Sequence, residues 1–220
     1  MDLKIKDLYD LTHTKAAAYL EQFAYPWEAL AGISDLILEI GKTLSQDEYD
    51  HPAEDVWIAK DTTVAPTASI TGPCIIGHNT QVRPGAFIRG SALIGDTCVV
   101  GNSTEIKNVI IFDNVQVPHY NYVGDAILGF HAHMGAGSIT SNVKADNKNV
   151  VIKNEGELIE TGRRKVGAML GDYADIGCGS VLNPGVVIGR HTNVYPLSCV
   201  RGVVPPNSIY KDKDNIVQKY

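Results

Sequence analysis

The feature that most constrains this chain is an aliphatic or aromatic side chain that recurs every six residues from Ile58 onward. The first block contains ten such positions, namely Ile58, Val64, Ile70, Ile76, Val82, Ile88, Ile94, Val100, Ile106 and Phe112. A small residue such as Thr62 follows four places after each of the first eight. An α-helix repeats every 3.6 residues and a strand every two, so neither maintains a six-residue period over this length.

The period predicts a parallel β-helix, in which each coil has three flat sides of six residues and stacks on the coil before it at roughly 4.8 Å. The aliphatic residue is expected to fill the axis, and the small residue lets the chain turn. Cys74 and Cys98 fall on small positions and are expected to be packing residues. Glycines directly after aliphatic positions suit corners that need positive φ or close backbone approach. These glycines are Gly77, Gly95, Gly101, Gly129, Gly135, Gly171, Gly177 and Gly189.

The repeat is interrupted twice, at residues 118–122 and in a long excursion at residues 140–169. Thirty-six residues, or six repeats, separate Met134 from Leu170, so the phase survives the excursion. Long loops in compact domains are usually functional or disordered. This one carries six basic against four acidic residues, which is equally compatible with a site for a phosphate-bearing ligand and with a charged hairpin in solvent.

The first 55 residues differ from the rest of the chain, because they hold four lysines against twelve acidic residues, a net charge of −8, and residues 56–220 carry +2. An apolar stripe predicts a helix that begins at Pro26, and such stripes usually pack against a partner surface. The stripe is formed by Leu30, Ile33, Ile37 and Ile40. The predicted organisation is an acidic helical segment at 1–55, a β-helix at 56–210 and a C-terminal tail at 211–220.

Composition restricts the possible partners. A formal charge of −6 excludes nucleic-acid binding through a broad positively charged surface. No apolar run reaches the roughly 18 residues of a membrane span, and the first residues lack the pattern of a signal peptide. The four cysteines form no CxxC pair. We therefore expect a cytoplasmic protein with free thiols that binds neither membrane nor nucleic acid.

Two cations and three histidines are candidates for chemistry. Arg89 and Lys107 are eighteen residues apart, so they are predicted to lie one above the other, where a phosphate would relieve their repulsion. Pairing with acids such as Glu105 is the alternative. His119 stands where the repeat breaks, which favours a functional role. A further pair, His131 and His133, has a spacing compatible with a metal site on one strand face.

Five segments spread over roughly residues 70–204 are informative, namely RPGAF, VVGNSTEIKN, VPHYNYVGDAILG, AHMGAGSITSNVKADNK and GSVLNPGVVIG. They resemble the left-handed β-helix domain of the bifunctional N-acetylglucosamine-1-phosphate uridyltransferase / glucosamine-1-phosphate acetyltransferase family. The resemblance implies a homotrimer with clefts between subunits, and metal-free transfer of acetyl from acetyl-CoA to the amine of a hexosamine 1-phosphate. The family's uridyltransferase domain has no counterpart here, so nucleotidyl transfer is expected of another chain.

The resemblance also implies roles for individual residues. His119 is the expected general base. The implied substrate contacts are Arg89, Lys107, Tyr122, His133 and Lys148, with Arg83 of the RPG tripeptide as the second choice for the arginine. The implied coenzyme contacts are Ala136, Asn142, Cys178 and Pro196. His133 replaces an asparagine of the family, which leaves the acceptor sugar open.

Two other classes of protein remain as alternatives. One is a metalloenzyme of the γ-carbonic-anhydrase type, with zinc ligands drawn from His78, His119, His131 and His133. The other is a non-catalytic trimeric scaffold, or a partner of a sugar nucleotidyltransferase, that docks through its acidic helices.

Overall fold

Short strands follow one another along most of the chain in the computed structural model, which describes residues 1–219. In chain order the strands are β1 (Tyr49–Ala53), β2 (Val56–Ala59), β3 (Thr63–Val64), β4 (Ser69–Ile70), β5 (Cys74–Ile76), β6 (Gln81–Val82), β7 (Phe87–Ile88), β8 (Ala92–Ile94), β9 (Val99–Asn102), β10 (Glu105–Ile111), β11 (Gln116–His119), β12 (Tyr122–Leu128), β13 (His133–Met134), β14 (Ile139–Thr140), β15 (Val151–Asn154), β16 (Glu157–Glu160), β17 (Ala168–Leu170), β18 (Asp175–Ile176), β19 (Val181–Leu182), β20 (Val186–Ile188), β21 (Asn193–Val194), β22 (Cys199–Val200), β23 (Val203–Val204), β24 (Ser208–Asp212) and β25 (Asn215–Gln218).

The strands pair in parallel with strands one coil later, which gives the stack three faces. The first face contains β2, β5, β8, β17, β20 and β23; the second contains β3, β6, β9, β11, β13, β18, β21 and β24; the third contains β4, β7, β14, β19 and β22. The longer strands β10 and β12 run round a corner and belong to both the third face and the first. The predicted parallel β-helix is confirmed.

Aliphatic side chains six residues apart fill the axis, as the period predicts. Along the second face the inward column consists of Val64, Val82, Val100, Val117, Met134, Ile176, Val194 and Tyr210. All of these except the half-exposed Val64 at the first coil are buried. Burial of each such side chain contributes on the order of 1.5–3 kcal/mol, so the stack itself is the core.

Phe112 lies one position outside the column to which the six-residue count assigned it. Ile94 pairs with Ile111, and Ile111 with Leu128, so two successive coils contain seventeen residues instead of eighteen. Phe112 takes the position that Gly95 occupies one coil earlier, and its ring is buried 5.3 Å from that of Tyr9. Because this coil is one residue short, Phe112 falls eighteen residues after Ile94 although Ile111 occupies the axial position. Phe112 points away from the axis, and its match to the six-residue period is a coincidence.

The glycines after the aliphatic positions serve close approach between coils and not positive φ. None of the eight has a positive φ; the left-handed residues of the neighbouring corner come two places later, at Thr97 and His131 for example. A Cβ on Gly95 would lie 2.7 Å from the backbone nitrogen of Asp113 in the next coil. Neighbouring coils therefore leave no room for a side chain at this point.

The N-terminal segment is helical but more broken than the sequence predicts. Its helices are α1 (Ile5–Leu8), α2 (Ala17–Leu20) and α3 (Ile33–Gly41), with 3₁₀ helices at Leu11–His13 and Pro26–Ala31. The single helix expected from Pro26 is divided at Gly32, whose backbone departs from helical geometry. Within residues 1–219, no helix has the length and apolar character needed to cross a membrane.

This segment packs on the β-helix of its own chain. The apolar side of α3 contacts β5, β8 and β10. A buried carboxylate fixes the segment further along: Asp172 accepts hydrogen bonds from the backbone N–H groups of Asp10 (2.7 Å) and Phe130 (2.9 Å), and it pairs with Arg190 at 3.0 Å. Burial raises the pKa of Asp172 in spite of these partners. The apolar stripe is thus covered by the stack.

The excursion at residues 140–169 contains the antiparallel hairpin β15–β16 and folds back onto later coils. A Cβ on Gly185 would lie 2.7 Å from Val150, so the excursion lies directly against this coil. Most of its charged side chains, including Lys148, are exposed. The predicted C-terminal tail contains a further strand, β25, which pairs antiparallel with β24.

The four free thiols should divide into one reactive and one unreactive pair. Cys74 and Cys98 are buried, whereas Cys178 and Cys199 are exposed. Burial raises the pKa of Cys74 to about 12 and that of Cys98 still further, so neither forms the reactive thiolate near neutrality. We expect Ellman's reagent to titrate two thiols in the native protein and four after denaturation. A Cys178→Ser/Cys199→Ser variant should show no fast reaction; rapid labelling of all four native thiols would contradict this packing.

Candidate active site

Arg89 and Lys107 lie one above the other on the third face. The residues directly before them, Ile88 and Ile106, are paired, and the Arg89 N–H donates to the Ile106 carbonyl at 2.9 Å. The next position in this column is Gly124, which pairs with Lys107. A Cβ on Gly124 would lie 2.5 Å from the hydroxyl of Tyr122, because that side chain leans across the space the glycine leaves.

Each of the two cations has a carboxylate partner. Arg89 Nη1 lies 2.6 Å from Glu105 Oε1, and this bond raises the pKa of the guanidinium. Lys107 Nζ lies 3.4 Å from Asp125 Oδ2. The Arg89–Glu105 pair is exposed, and exposed ion pairs contribute little to stability. Asp125, in contrast, is buried.

Asp125 gathers further donors. Asn108 Nδ2 donates to Asp125 Oδ1 at 2.9 Å, and Asn142 Nδ2 donates to Asp125 Oδ2 at 2.5 Å. Asn142 Nδ2 also donates to the Tyr122 hydroxyl at 3.1 Å. Burial first, and then the charges of Asp125 and Glu105, raise the pKa of Tyr122, so its phenol stays neutral. We call Arg89, Glu105, Lys107, Tyr122, Asp125 and Asn142 the polar cluster.

Sequence reasoning names four members of the polar cluster as site residues and Glu105 as an acid that pairs with the cations, and it overlooks Asp125. The signal was present, because Asp125 is the one charged residue of β12, whose residues are otherwise buried or nearly so. A charged side chain is almost never fully buried without partners. An acid in such a strand therefore points to a local network of donors.

His119 ends β11 at the corner that precedes the polar cluster. The buried Asn121 fixes this corner: its Oδ1 accepts from the His119 N–H at 3.0 Å, and its Nδ2 donates to the carbonyls of Gly135 (2.9 Å) and Ser138 (3.1 Å). The His119 side chain is exposed, and among residues 1–219 its ring makes no hydrogen bond or ion pair. Only Tyr120 and Asn121 separate it from Tyr122 of the cluster.

Four predicted site residues line up along this corner in successive coils. The carbonyl of His119 accepts from Gly137 N (2.9 Å), that of Ala136 from Gly179 N (2.8 Å), and that of Cys178 from Leu197 N (2.8 Å). These bonds place His119, Ala136, Cys178 and Pro196 in one exposed row, which we call the His119 corner. With coils roughly 4.8 Å apart, the row is about 14 Å long.

The remaining predicted residues lie away from the polar cluster. His133 on the second face hydrogen-bonds Asp175 at 2.8 Å, and this bond lowers the pKa of Asp175. Arg83 also follows a second-face strand and contacts Gln81. Lys148 is exposed on the excursion. No hydrogen bond or ion pair within the described chain joins these three to the cluster, and it is Arg89 that stacks on Lys107.

The prediction that His131 and His133 share one strand face is wrong. His131 lies in the turn before β13, with a φ of 57°, and its ring stacks on Tyr173 at 5.2 Å. Only His133 belongs to the strand, so the two rings do not project from one strand face. Among residues 1–219 of the single chain, no group of three or more His, Cys, Asp or Glu side chains is arranged to hold a metal ion.

The stacked six-residue repeats place the chain in the hexapeptide-repeat class of parallel β-helix proteins. The family model described as the GMPPB C-terminal domain matches residues 70–161, which is less than half of the chain. Bifunctional protein GlmU of Methanococcus maripaludis (strain C5) is 30% identical over 97% of this chain and 52% of that protein. The bifunctional sugar-1-phosphate nucleotidylyltransferase/acetyltransferase of Sulfurisphaera tokodaii is 31% identical over 58% of this chain and 32% of that protein.

This chain is a homologue of the bifunctional GlmU proteins. The two Methanococcus maripaludis relatives match more than 90% of this chain, and the chain spans about half of their length. Among solved structures, UDP-N-acetylglucosamine acyltransferase of Francisella novicida is similar with a TM-score of 0.47 and 13% identity, over 71% of this chain and 67% of that one.

Proposed function

We propose that this chain transfers an acetyl group from acetyl-CoA to the amine of an amino-sugar phosphate of the hexosamine 1-phosphate type. The observation that carries the proposal is the stacked pair Arg89 and Lys107, on the face that adjoins the exposed imidazole of His119. The Sulfurisphaera tokodaii relative is named as a sugar-1-phosphate nucleotidylyltransferase/acetyltransferase. That name supports both the phosphate and the acetyl group in the proposal.

In the proposed complex, the polar cluster orients the acceptor. Lys107 and Arg89 bind the phosphate through charge-assisted hydrogen bonds, and Glu105 moves aside. Tyr122, whose phenol is neutral, offers a hydroxyl to the sugar. Holding the acceptor in one orientation replaces a bimolecular encounter by an oriented one, which is the main contribution that binding residues make to rate.

His119 is the proposed general base, the role that histidine most often takes. A ring nitrogen accepts a proton from the amine as the amine nitrogen attacks the thioester carbonyl. The new C–N bond forms, the C–S bond breaks, and the imidazolium returns its proton to the departing coenzyme A thiolate. The proton, the acetyl group and the thiol are thereby accounted for without a metal.

Acetyl-CoA is proposed to lie along the His119 corner, with contacts from Ala136, Cys178 and Pro196 and from Asn142 at the cluster. The row has open space at Gly137, where nothing lies within 4 Å of the position of a Cβ, whereas the Leu197 side chain lies over Gly179. Tyr120 and Leu197 are 63% and 84% exposed. Apolar side chains at such exposure suit coverage by another copy. We propose the homotrimer that the family resemblance implies, with three times the 23.8 kDa of one chain, to be checked by sedimentation equilibrium.

Replacement of Lys107 tests the acceptor half of the proposal. We expect Lys107→Met to raise the KM for glucosamine 1-phosphate at least tenfold, since a hydrogen bond to a charged group is worth about 1.5–3 kcal/mol. Acetyl-CoA affinity, measured by calorimetry, should change less than about threefold. Lys60→Met, at an exposed lysine whose Nζ donates to the Gln46 carbonyl, serves as the control. An unchanged acceptor KM would remove Lys107 from the acceptor site, and a wild-type chain with no affinity for acetyl-CoA would favour the scaffold class.

A further inference from the structure

Asp125 is held by donors from two parts of the chain. Lys107 and Asn108 reach it from the preceding coil, and Asn142 reaches it from the start of the excursion. Asn108 uses its second amide hydrogen to bind the Leu30 carbonyl at 3.2 Å, in the N-terminal segment. The carboxylate itself is 3% exposed. It therefore connects the proposed phosphate ligand, the proposed coenzyme contact and the N-terminal segment.

The surroundings of Asp125 require an acceptor at both oxygens. Oδ1 receives Asn108 Nδ2, Oδ2 receives Asn142 Nδ2, and Lys107 Nζ lies 3.4–3.5 Å from both. An asparagine side chain would turn its NH₂ group toward a donor in either orientation. A buried polar group left without a partner destabilises by about 1–3 kcal/mol. A side chain with two acceptor oxygens is what these three neighbours require.

The backbone also holds Asp125 at this position. Asn108 and Asp125 lie one above the other at the corner between the third face and the first, and both have left-handed φ values, 52° and 50°. Asparagine and aspartate are the residues other than glycine that adopt this conformation most readily. The corner thus presents two short polar side chains to each other in successive coils.

We infer that Asp125 is a positioning residue: its carboxylate holds Lys107 and Asn142 in one arrangement, so that acceptor and coenzyme are bound in register. This inference rests on the proposed function. Asp125 touches neither reactant and acts through the two side chains it orients. Its loss should therefore act on the same step as the loss of Lys107, and the two losses should not multiply.

A double-mutant cycle tests this coupling. The variants are Asp125→Asn, Lys107→Met and their combination, with kcat/KM for glucosamine 1-phosphate as the readout. We expect each single variant to lose at least tenfold, and the double variant to fall within threefold of the worse single variant. The control cycle combines Lys107→Met with Asp172→Asn, a buried carboxylate that binds the N-terminal segment and has no contact with the polar cluster. There the two effects should multiply, because Asp172→Asn acts on stability alone.

Full multiplication in the Asp125 cycle would overturn the inference, because a merely structural aspartate affects all steps independently of Lys107. If Asp125→Asn alone is insoluble, the cycle of Lys107→Met with Asn142→Ala decides, since Asp125 is the group that contacts both of these side chains. We expect the loss in the double variant to be at least tenfold smaller than the product of the two single losses; full multiplication in folded protein contradicts us. A wild-type chain without acetyl transfer removes the proposed function, and this inference with it.

Discussion

His119→Ala is expected to lower kcat by roughly 10²–10⁴-fold, the usual contribution of a general base. The His119 ring is exposed at the end of β11. Asn121 binds the backbone N–H of His119 and does not contact the imidazole. Removal of the imidazole therefore leaves the corner, the polar cluster and the stack intact. Affinity for acetyl-CoA should stay within about twofold of wild type, as measured by calorimetry beside the rate of coenzyme A release.

The matched control is His131→Ala, which removes an exposed imidazole from a different corner of the same stack. Its ring stacks on Tyr173 and lies outside the proposed site, so kcat should change less than about twofold. Full turnover by His119→Ala would remove that residue from the mechanism. Equal losses in both histidine variants would indicate damage to the stack instead of loss of a base.

Gly101→Ala is expected to be the most destabilising glycine-to-alanine substitution in the chain. A Cβ on Gly101 would overlap the backbone carbonyl of Pro118 in the next coil. Overpacking usually costs about 1–3 kcal/mol when side chains can adjust, and here backbone would have to move. We expect a loss of more than about 3 kcal/mol in the free energy of unfolding, measured by urea denaturation, together with loss of activity, because His119 follows Pro118 directly.

Gly156→Ala provides the contrast. Gly156 has a φ of 88° in the turn between β15 and β16, and nothing lies within 4 Å of the position of its Cβ. The backbone conformation alone should cost about 1–2 kcal/mol there, with no effect on acetyl transfer. Equal destabilisation by the two alanines would mean that contact between coils does not limit position 101.

The architecture was predictable because a stacked coil repeats one simple packing problem. Each inward position, such as Val82, Val100 or Ile176, needs an aliphatic residue at the same phase, and the chain records that need every six residues. Coil length was harder to predict. The coils through Ile111 and Leu128 each lack one residue, and nothing in the periodic count distinguishes Ile111 from its buried neighbour Phe112.

The candidate site was predictable where it follows the period. Eighteen residues separate Arg89 from Lys107, and that spacing places them in one column. Side-chain partners do not follow from spacing. Glu105 pairs with Arg89, and Asp125 pairs with Lys107, across coils whose side chains choose among several rotamers. Long-range contacts such as Asn108 with the Leu30 carbonyl depend on how the N-terminal segment packs, which the period does not encode.

The central claim is that this chain joins an acetyl group to an amino-sugar phosphate, and product analysis tests it most directly. The wild-type protein is incubated with acetyl-CoA and glucosamine 1-phosphate, and thiol release is measured while the product is identified by mass spectrometry. We predict one acetylated amine for each thiol released, and no transfer to glucose 1-phosphate, which lacks the amine. Folded protein that releases no thiol with any amino-sugar phosphate, or acetylates glucose 1-phosphate equally well, would contradict the claim.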